Sequence, residues 1–359
     1  MIYALPQIDG DLKDQLDALR QLRTQLGSEV NRPSRWIGAL RREVRASSIE
    51  SSTSIEGYSV DPEEAIALIS GEKQAEPDDD NRMAVSCYAR ALDHVGAMAD
   101  DPSFRWLDRV ILDLHFDACY FQPDKDPGRW RTGEIAVTGA NGRIDYHGPP
   151  ADDVPRLMGE VVDWLAVGDG EADTVVRAAI AHLNVTSVHP FRDGNGRISR
   201  IIQSLVLARE GMISPEFSSI EEHLRDHTAD YYAALRKVQG GSYQPDRDTT
   251  EWVSFCVGAH IAQARQRLVQ IEEAATRWEH LESIVTERGW PDRLTIALEQ
   301  SLIGGSDRAK YSKEADVSPA TASGDFRRLL DAGLVQQAGK GRSIRYRASS
   351  LLREAIKPT

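Results

Sequence analysis

The chain has 359 residues with 43 Lys+Arg against 56 Asp+Glu, a formal charge of −13; it is too long for one ordinary core and too acidic for blanket nucleic-acid binding. Apolar residues make up 41% and charged residues 28%, a balance that excludes a disordered chain and points to a globular protein. Cys87, Cys119 and Cys256 lie far apart with no Cys-x-x-Cys pair, so neither a disulfide framework nor a zinc site is supported and a reducing compartment fits. No stretch approaches the ~18 apolar residues of a membrane span, so a cytoplasmic protein without a membrane partner is expected.

From Asp9 to about Arg45 the residues Leu12, Leu16, Leu19, Leu22 and Leu26 recur at helical steps, so the chain opens with helices. A charged, Pro-broken loop is expected at 71–81, then helices at 82–98 and 107–120. Ile135-Ala136-Val137, the turn Gly139-Ala140-Asn141-Gly142 and Ile144-Asp145-Tyr146 read as a hairpin ending at Pro149-Pro150. Further helices are expected at 154–165, 174–188, 197–210, 229–238 and 252–273. After Gly289-Trp290-Pro291 come short helices at 294–303, 308–315 and 318–332, where Ser318-Pro319 reads as an N-cap with Pro at the first helical position. Two β-like runs, 334–337 and 343–346, flank Gly339-Lys340-Gly341-Arg342, so this part reads as a winged helix-turn-helix.

The segment His189-Pro190-Phe191-Arg192-Asp193-Gly194-Asn195-Gly196-Arg197-Ile198-Ser199-Arg200 carries the chemistry. Pro190 disfavours helical dihedrals at His189, which ends the preceding helix and leaves an imidazole at its terminus as a candidate general base. Gly194, Asn195 and Gly196 let backbone N–H groups converge on an anion where the next helix starts. Arg197 and Arg200, three apart on that helix, can neutralise phosphate, and Asp193 is a candidate Mg²⁺ ligand. A base, a metal carboxylate, an anion cradle and two arginines are the parts for nucleotidyl or phosphoryl transfer. His182, His115, Trp106 and Trp252 read as core residues.

This segment resembles the signature of the Fic family, His-Pro-Phe-x-(Asp/Glu)-Gly-Asn-Gly-Arg-x-x-Arg, with every fixed position matched. The resemblance extends to Pro127-Gly128-Arg129-Trp130-Arg131 ahead of the hairpin and to Tyr231-Tyr232-Ala233-Ala234-Leu235. His227-Thr228 departs from the Asn-Arg of many relatives. The resemblance implies AMP transfer from Mg-ATP to a Ser, Thr or Tyr hydroxyl of a target protein. His189 would take the proton, Asp193 would hold Mg²⁺, Gly194, Asn195 and Gly196 would line the anion hole, and Arg197 and Arg200 would meet the β- and γ-phosphates. Either Tyr231 or Tyr232 touches adenine, or both only pack. The hairpin, through Ile135, Val137, Ile144 and Tyr146, would dock an extended target segment by strand addition.

Ser52-Thr53-Ser54-Ile55-Glu56-Gly57 is similar to the family's inhibitory motif (Ser/Thr)-x-x-x-Glu-(Gly/Asn). Glu56 paired with Arg200 would occupy the place of the γ-phosphate. Ser48-Ile49-Glu50-Ser51 is similar but lacks the following Gly or Asn. In some relatives the same glutamate supports AMP removal, so a bifunctional enzyme stays open. The expected architecture is mainly α, with an N-terminal helical domain bearing the inhibitory helix (1–99), a Fic core with a hairpin flap (100–275) and a winged helix-turn-helix (290–350). Homodimerisation through helical faces is a further expectation. Arg327, Arg328, Lys340, Arg342, Arg345 and Arg347 against Asp325 and Asp331 give the last domain a basic excess, so DNA is a second candidate partner. The competing function is a winged-helix DNA-binding regulator whose Fic core senses nucleotide.

Overall fold

The computed structural model describes residues 1–139, 142–167, 172–211, 213–339 and 344–356, which divide into two compact units. The first unit, 1–31 with 45–267, is helical apart from one hairpin. It holds α1 (Gly10–Val30), the end of α2 (Ile37–Ile55), α3 (Pro62–Ile69), α4 (Asp80–Ala99) and α5 (Asp108–Cys119). After β1 (Ala136–Thr138) and β2 (Ile144–His147) come α6 (Val154–Val167), α7 (Thr174–Val188), α8 (Asn195–Ala208), α9 (Pro215–Ser218), α10 (Glu221–Asp226), α11 (Thr228–Gln239) and the start of α12 (Thr250–Glu287).

Apolar residues on nearly every side of α7 dictate its central place. Val176, Ala178, Ala179, Ile180, Ala181, Leu183, Val185 and Val188 are all 0% exposed. It packs on α8, which α4 and α5 flank, and α6 packs on α7. On α1 the buried stripe is Leu12, Leu16, Leu19, Arg23 and Leu26, with Arg23 spent on Glu210 and Leu22 only half-buried. Trp252 and His182 are core residues, as expected: Trp252 donates to the Ala179 carbonyl at 2.7 Å, and His182 bridges Gln203 (2.7 Å) and Tyr231 (3.0 Å). α3, capped by Asp61 with Pro62 at the first position, and the short α9 and α10 carry too few residues to show a period in the sequence.

In the hairpin, Ala136 pairs with His147, Val137 with Tyr146 and Thr138 with Ile144, with an irregularity between Val137 and Thr138. Ala140 and Asn141 of the expected turn lie outside the described residues. β2 is also tied to the Gly241 carbonyl through the His147 N–H (3.0 Å), which leaves β1 as the outer strand.

The second unit comprises 32–44 and 268–359. It contains the rest of α2 and α12, then α13 (Leu294–Leu302), α14 (Arg308–Glu314), α15 (Pro319–Asp331), β3 (Val335–Ala338), β4 (Arg345–Ala348) and α16 (Ser350–Ala355). Ser318 caps α15 at the Thr321 N–H (3.1 Å) with Pro319 first in the helix, as its sequence predicts. Phe326 stacks on Tyr346 at 3.9 Å, joining α15 to the antiparallel β3–β4 pair. Residues 340–343, within the expected wing turn, lie outside the described residues. The units cut the chain differently from the three sequence segments: 1–31 and 45–99 join the catalytic segment's core, and 32–44 belong with 268–359. α1 shares one apolar cluster with α7 and α8, which periodicity within α1 alone does not reveal. No helix of the described residues is long and apolar enough to cross a membrane.

Candidate active site

α7 ends at His189 as the following proline requires, but in the left-handed region (φ 51°, ψ 57°) and not in the extended conformation expected before proline. The His189 N–H still bonds the Val185 carbonyl (3.0 Å), so the residue closes the helix and reverses the chain. Arg131 holds that reversal. Its Nε donates to the His189 carbonyl (2.8 Å), its Nη2 to the Pro149 carbonyl (2.6 Å) and its N–H to the Pro190 carbonyl (2.8 Å). One buried guanidinium thereby ties the base to the foot of the hairpin.

The His189 Nδ1 lies 3.1 Å from the Thr186 carbonyl, which can only accept, so Nδ1 carries the proton and Nε2 keeps its lone pair. Burial pushes the imidazole down to about 4, so it is neutral at pH 7. It borders a cavity of about 710 Å³ lined also by Val137, Asp193, Gly194, Asn195, Gly196 and Tyr232.

The loop after His189 is closed by Asn195, whose side chain accepts from the Phe191 N–H (2.9 Å) and donates to the Phe191 carbonyl (2.9 Å). Gly194 (φ 76°) starts α8; a Cβ there would lie 2.4 Å from the Cys119 Sγ, so only glycine fits. At Gly196 a Cβ would lie 2.2 Å from the Glu56 Oε1. Sequence reasoning misses His115. Its Nε2 donates to the Asp193 carbonyl (3.0 Å), its Nδ1 accepts from the Gly128 N–H (2.9 Å), and its ring stacks on Phe191 at 3.6 Å. Burial lowers it to about 4, which keeps it neutral for both bonds. The Pro-Gly pair at 127–128 was the available signal that something must meet that N–H.

Arg197 and Arg200 part company. Arg197 is 0% exposed and does not line the cavity; it binds Asp193 (3.1 Å), Gln122 (3.0 Å) and the Ala118 carbonyl (3.4 Å) beside the Tyr58 and Phe121 rings. Helix positions three apart diverge by about 60°, and the acceptors nearest Arg197 lie inward; Arg200 does not line the cavity either. Arg200 Nε donates to the Ser52 Oγ (2.7 Å), and its Nη2 to the Ser52 carbonyl (3.0 Å) and the Glu56 Oε1 (2.9 Å), while the buried Nη1 has no partner. Gly57 (φ 90°) ends this turn. Glu50, in the rival motif, pairs with Arg225 (3.1 Å) instead.

The tyrosines also separate. Both line the cavity, but Tyr231 is 1% exposed and spends its hydroxyl on His182, whereas Tyr232 is 37% exposed. In the hairpin, Tyr146 is 3% exposed and donates to the Ser187 carbonyl (2.6 Å). That bond anchors the flap, and Tyr146 also lines the cavity. Ile144 is 55% exposed, while Val137 and Ile135 are half-buried. Among the described residues no three His, Cys, Asp or Glu side chains gather to hold a metal ion. Asp193, which lines the cavity together with Asp145 and Glu56, suits Mg²⁺, which takes one or two carboxylates and completes its shell with phosphate oxygens and water.

Residues 106–207 match the Fic/DOC family model. Protein adenylyltransferase fic-1 of Caenorhabditis elegans is 33% identical over 138 residues, 38% of this chain and 24% of that protein. A probable protein adenylyltransferase of Aquifex aeolicus is 30% identical over 116 residues, 32% of each chain. The matched stretch thus spans about a quarter to a third of these curated relatives. Among solved structures, a Fic family protein from Desulfovibrio desulfuricans superposes with a TM-score of 0.59 at 22% identity, covering 97% of this chain and 99% of that one. Fic-1 of Caenorhabditis elegans superposes with a TM-score of 0.57 at 23% identity over 72% of this chain and 73% of its own. His189, the loop after it, the hairpin and α8 as far as Leu207 fall within the matched residues, and the chain carries a Fic/DOC family domain at 106–207.

Proposed function

We propose that this chain is a protein adenylyltransferase that moves AMP from ATP to a hydroxyl side chain of a target protein and is restrained by Glu56. The observation that carries this reading is the His189 Nε2, left as a free lone pair by the Nδ1 bond and bordering a cavity that the start of α8 also lines. His189 accepts the proton of the attacking hydroxyl, the oxygen bonds the α-phosphorus, and the α–β phosphoanhydride bond breaks to release pyrophosphate. The first N–H groups of α8 lack intrahelical partners and suit phosphate oxygens. Asp193, oriented by Arg197, would hold Mg²⁺, which supplies positive charge to the phosphates. Tyr232 offers a ring to the base, and the outer edge of β1 offers N–H and C=O groups to an extended target.

The restraint rests on Arg200. Its Nη1 is a buried donor without a partner, and the neighbouring Nη2 is held by Glu56, so a γ-phosphate and the Glu56 carboxylate compete for one cation. Incubating the wild type, Glu56→Gly and Glu56→Gly/His189→Ala with Mg²⁺ and α-labelled ATP, read by intact mass, tests both parts. Label is expected in Glu56→Gly and absent from the double variant. Absence of label from folded, ATP-binding Glu56→Gly, with and without added lysate proteins, overturns the reading.

A further inference from the structure

The second unit carries charge of the opposite sign to the rest of the chain. Residues 32–44 and 268–359 hold 18 Lys+Arg against 14 Asp+Glu, whereas the remaining residues hold 25 against 42. Several of those acids are silent on the surface: Asp307 pairs with Arg345 (3.3 Å), and Glu299 is 1% exposed. Asp325 stands in the middle of α15 and as a surface group would repel phosphate. It is 3% exposed, takes both Nε (2.7 Å) and Nη2 (3.1 Å) of Arg293, and accepts from the Tyr311 hydroxyl (2.8 Å). Asp325 therefore belongs to the inner side of α15 with Ala322, Phe326 and Leu329.

The outer side of α15 presents Ala320, Gly324, Arg327 and Arg328, with Asp331 at its far end. Lys313 is exposed on the neighbouring α14. The side chains of Arg327, Arg328 and Lys313 make no hydrogen bond or ion pair among the described residues, so their charge is open to an anion. A bare helix face with short side chains can approach a groove closely, and unpaired cations beside it match a polyanion.

We propose that this face of α14 and α15 docks duplex DNA through phosphate contacts from Lys313, Arg327 and Arg328, with little base selection. Three neutralised phosphates give a log–log salt slope of about −2.7, so affinity falls about 40-fold between 50 and 200 mM salt. Ala320 and Gly324 have no hydrogen-bonding side chain for a base edge, so unrelated sequences bind alike. The inference is independent of the His189 cavity.

The test is fluorescence anisotropy of two unrelated labelled 20-base-pair duplexes titrated with the full chain at 50, 100 and 200 mM NaCl. Comparable binding of both duplexes is expected, with the slope above. Arg327→Ala/Arg328→Ala should bring the slope to about −0.9 and cut affinity at least tenfold at 50 mM salt, since each lost phosphate contact removes close to one unit of slope. Its circular dichroism spectrum and melting should equal the wild type's, which shows that it folds. A control lacking the exposed cations Arg109 and Lys237 of the first unit should keep the wild-type slope. No binding at 50 mM salt up to ~100 µM protein, the weak end of non-specific affinity, overturns the proposal. So does an unchanged slope in the arginine double variant.

Discussion

Replacing Glu56 by glycine has a thermodynamic signature distinct from its effect on turnover. In the wild type the Arg200 guanidinium is 1% exposed and has three bonds, two to Ser52 and one to the Glu56 carboxylate, with Nη1 already lacking a partner. Removing one partner of a fully buried ion pair costs about 3–5 kcal/mol. Glu56 is 20% exposed, so water can replace part of its contact, and the charged hydrogen-bond range of about 1.5–3 kcal/mol is the better guide. Glu56 follows the last residue of α2, so no helix-interior penalty for glycine is added. We expect the variant to lose about 2 kcal/mol and, at about 2–4 °C per kcal/mol for a unit of this size, to melt about 4–8 °C lower. Mg-ATP should reverse the order, because a triphosphate that takes the vacated side of Arg200 at a hundred times its Kd returns about 2.7 kcal/mol. Glu56→Gln keeps an acceptor without the charge and should fall between. Differential scanning calorimetry across an ATP titration measures all three forms. A Glu56→Gly variant that melts with the wild type, or equal ATP stabilisation of both, would refute the claim that Glu56 and nucleotide compete for Arg200.

Three further outcomes follow from the same geometry. Burial lowers His189 to about 4, below its ordinary value near 6.5, so the neutral base persists as pH falls; the acid limb of kcat/KM for Glu56→Gly should lie near 4, and a limb at 6.5 would contradict the buried, Nδ1-bonded base. Gly194→Ala combines a φ of 76° with a Cβ 2.4 Å from the Cys119 Sγ, so it should lose more than about 2 kcal/mol in denaturant melts and abolish transfer; Gly194→Ala/Cys119→Ala should recover part of the stability because the steric component is relieved. Glu299 is buried and its carboxyl is raised to about 8, so the folded state holds a proton that the unfolded state releases above about 4.5. Stability should fall by up to about 1.4 kcal/mol per pH unit between those values, and Glu299→Gln should flatten the slope in urea melts from pH 5 to 8; a wild type with no slope over that range would sink this reading.

The segment from His189 to Arg200 was legible because its constraints are local: a proline after the base, glycines at a helix start and a carboxylate between them occupy twelve consecutive positions. The long helices were legible for the same reason, since their apolar periods run over several turns. What the sequence could not yield depends on partners far away along the chain. His115 and Arg131 are ordinary core and loop residues until the fold brings Asp193, Gly128 and the His189 carbonyl to their donors and acceptors. Tyr231 and Tyr232 are neighbours whose fates differ by one step of helical phase, with His182 waiting under only one of them. Arg197 and Asp325 are buried for one reason: each charge meets a more exposed partner of opposite sign, which side-chain type alone cannot foretell.

These long-range contacts give the candidate site its mechanical unity. The base sits in a left-handed conformation that costs roughly 1–2 kcal/mol for a residue with a side chain, so it persists only if its carbonyl is held. Arg131 supplies that hold and, with the same guanidinium, grips Gly133 and Pro149 at the two feet of the hairpin. A displacement of the flap strands therefore acts on the backbone of the base. On the opposite side, Gly196 lets the Glu56 carboxylate lie against the first turn of α8, where its charge meets both Arg200 and the positive end of the helix. On the proposed reading, an anion that reaches Arg200 displaces Glu56 from both attractions, and the buried, unpartnered Nη1 is a further donor it would gain.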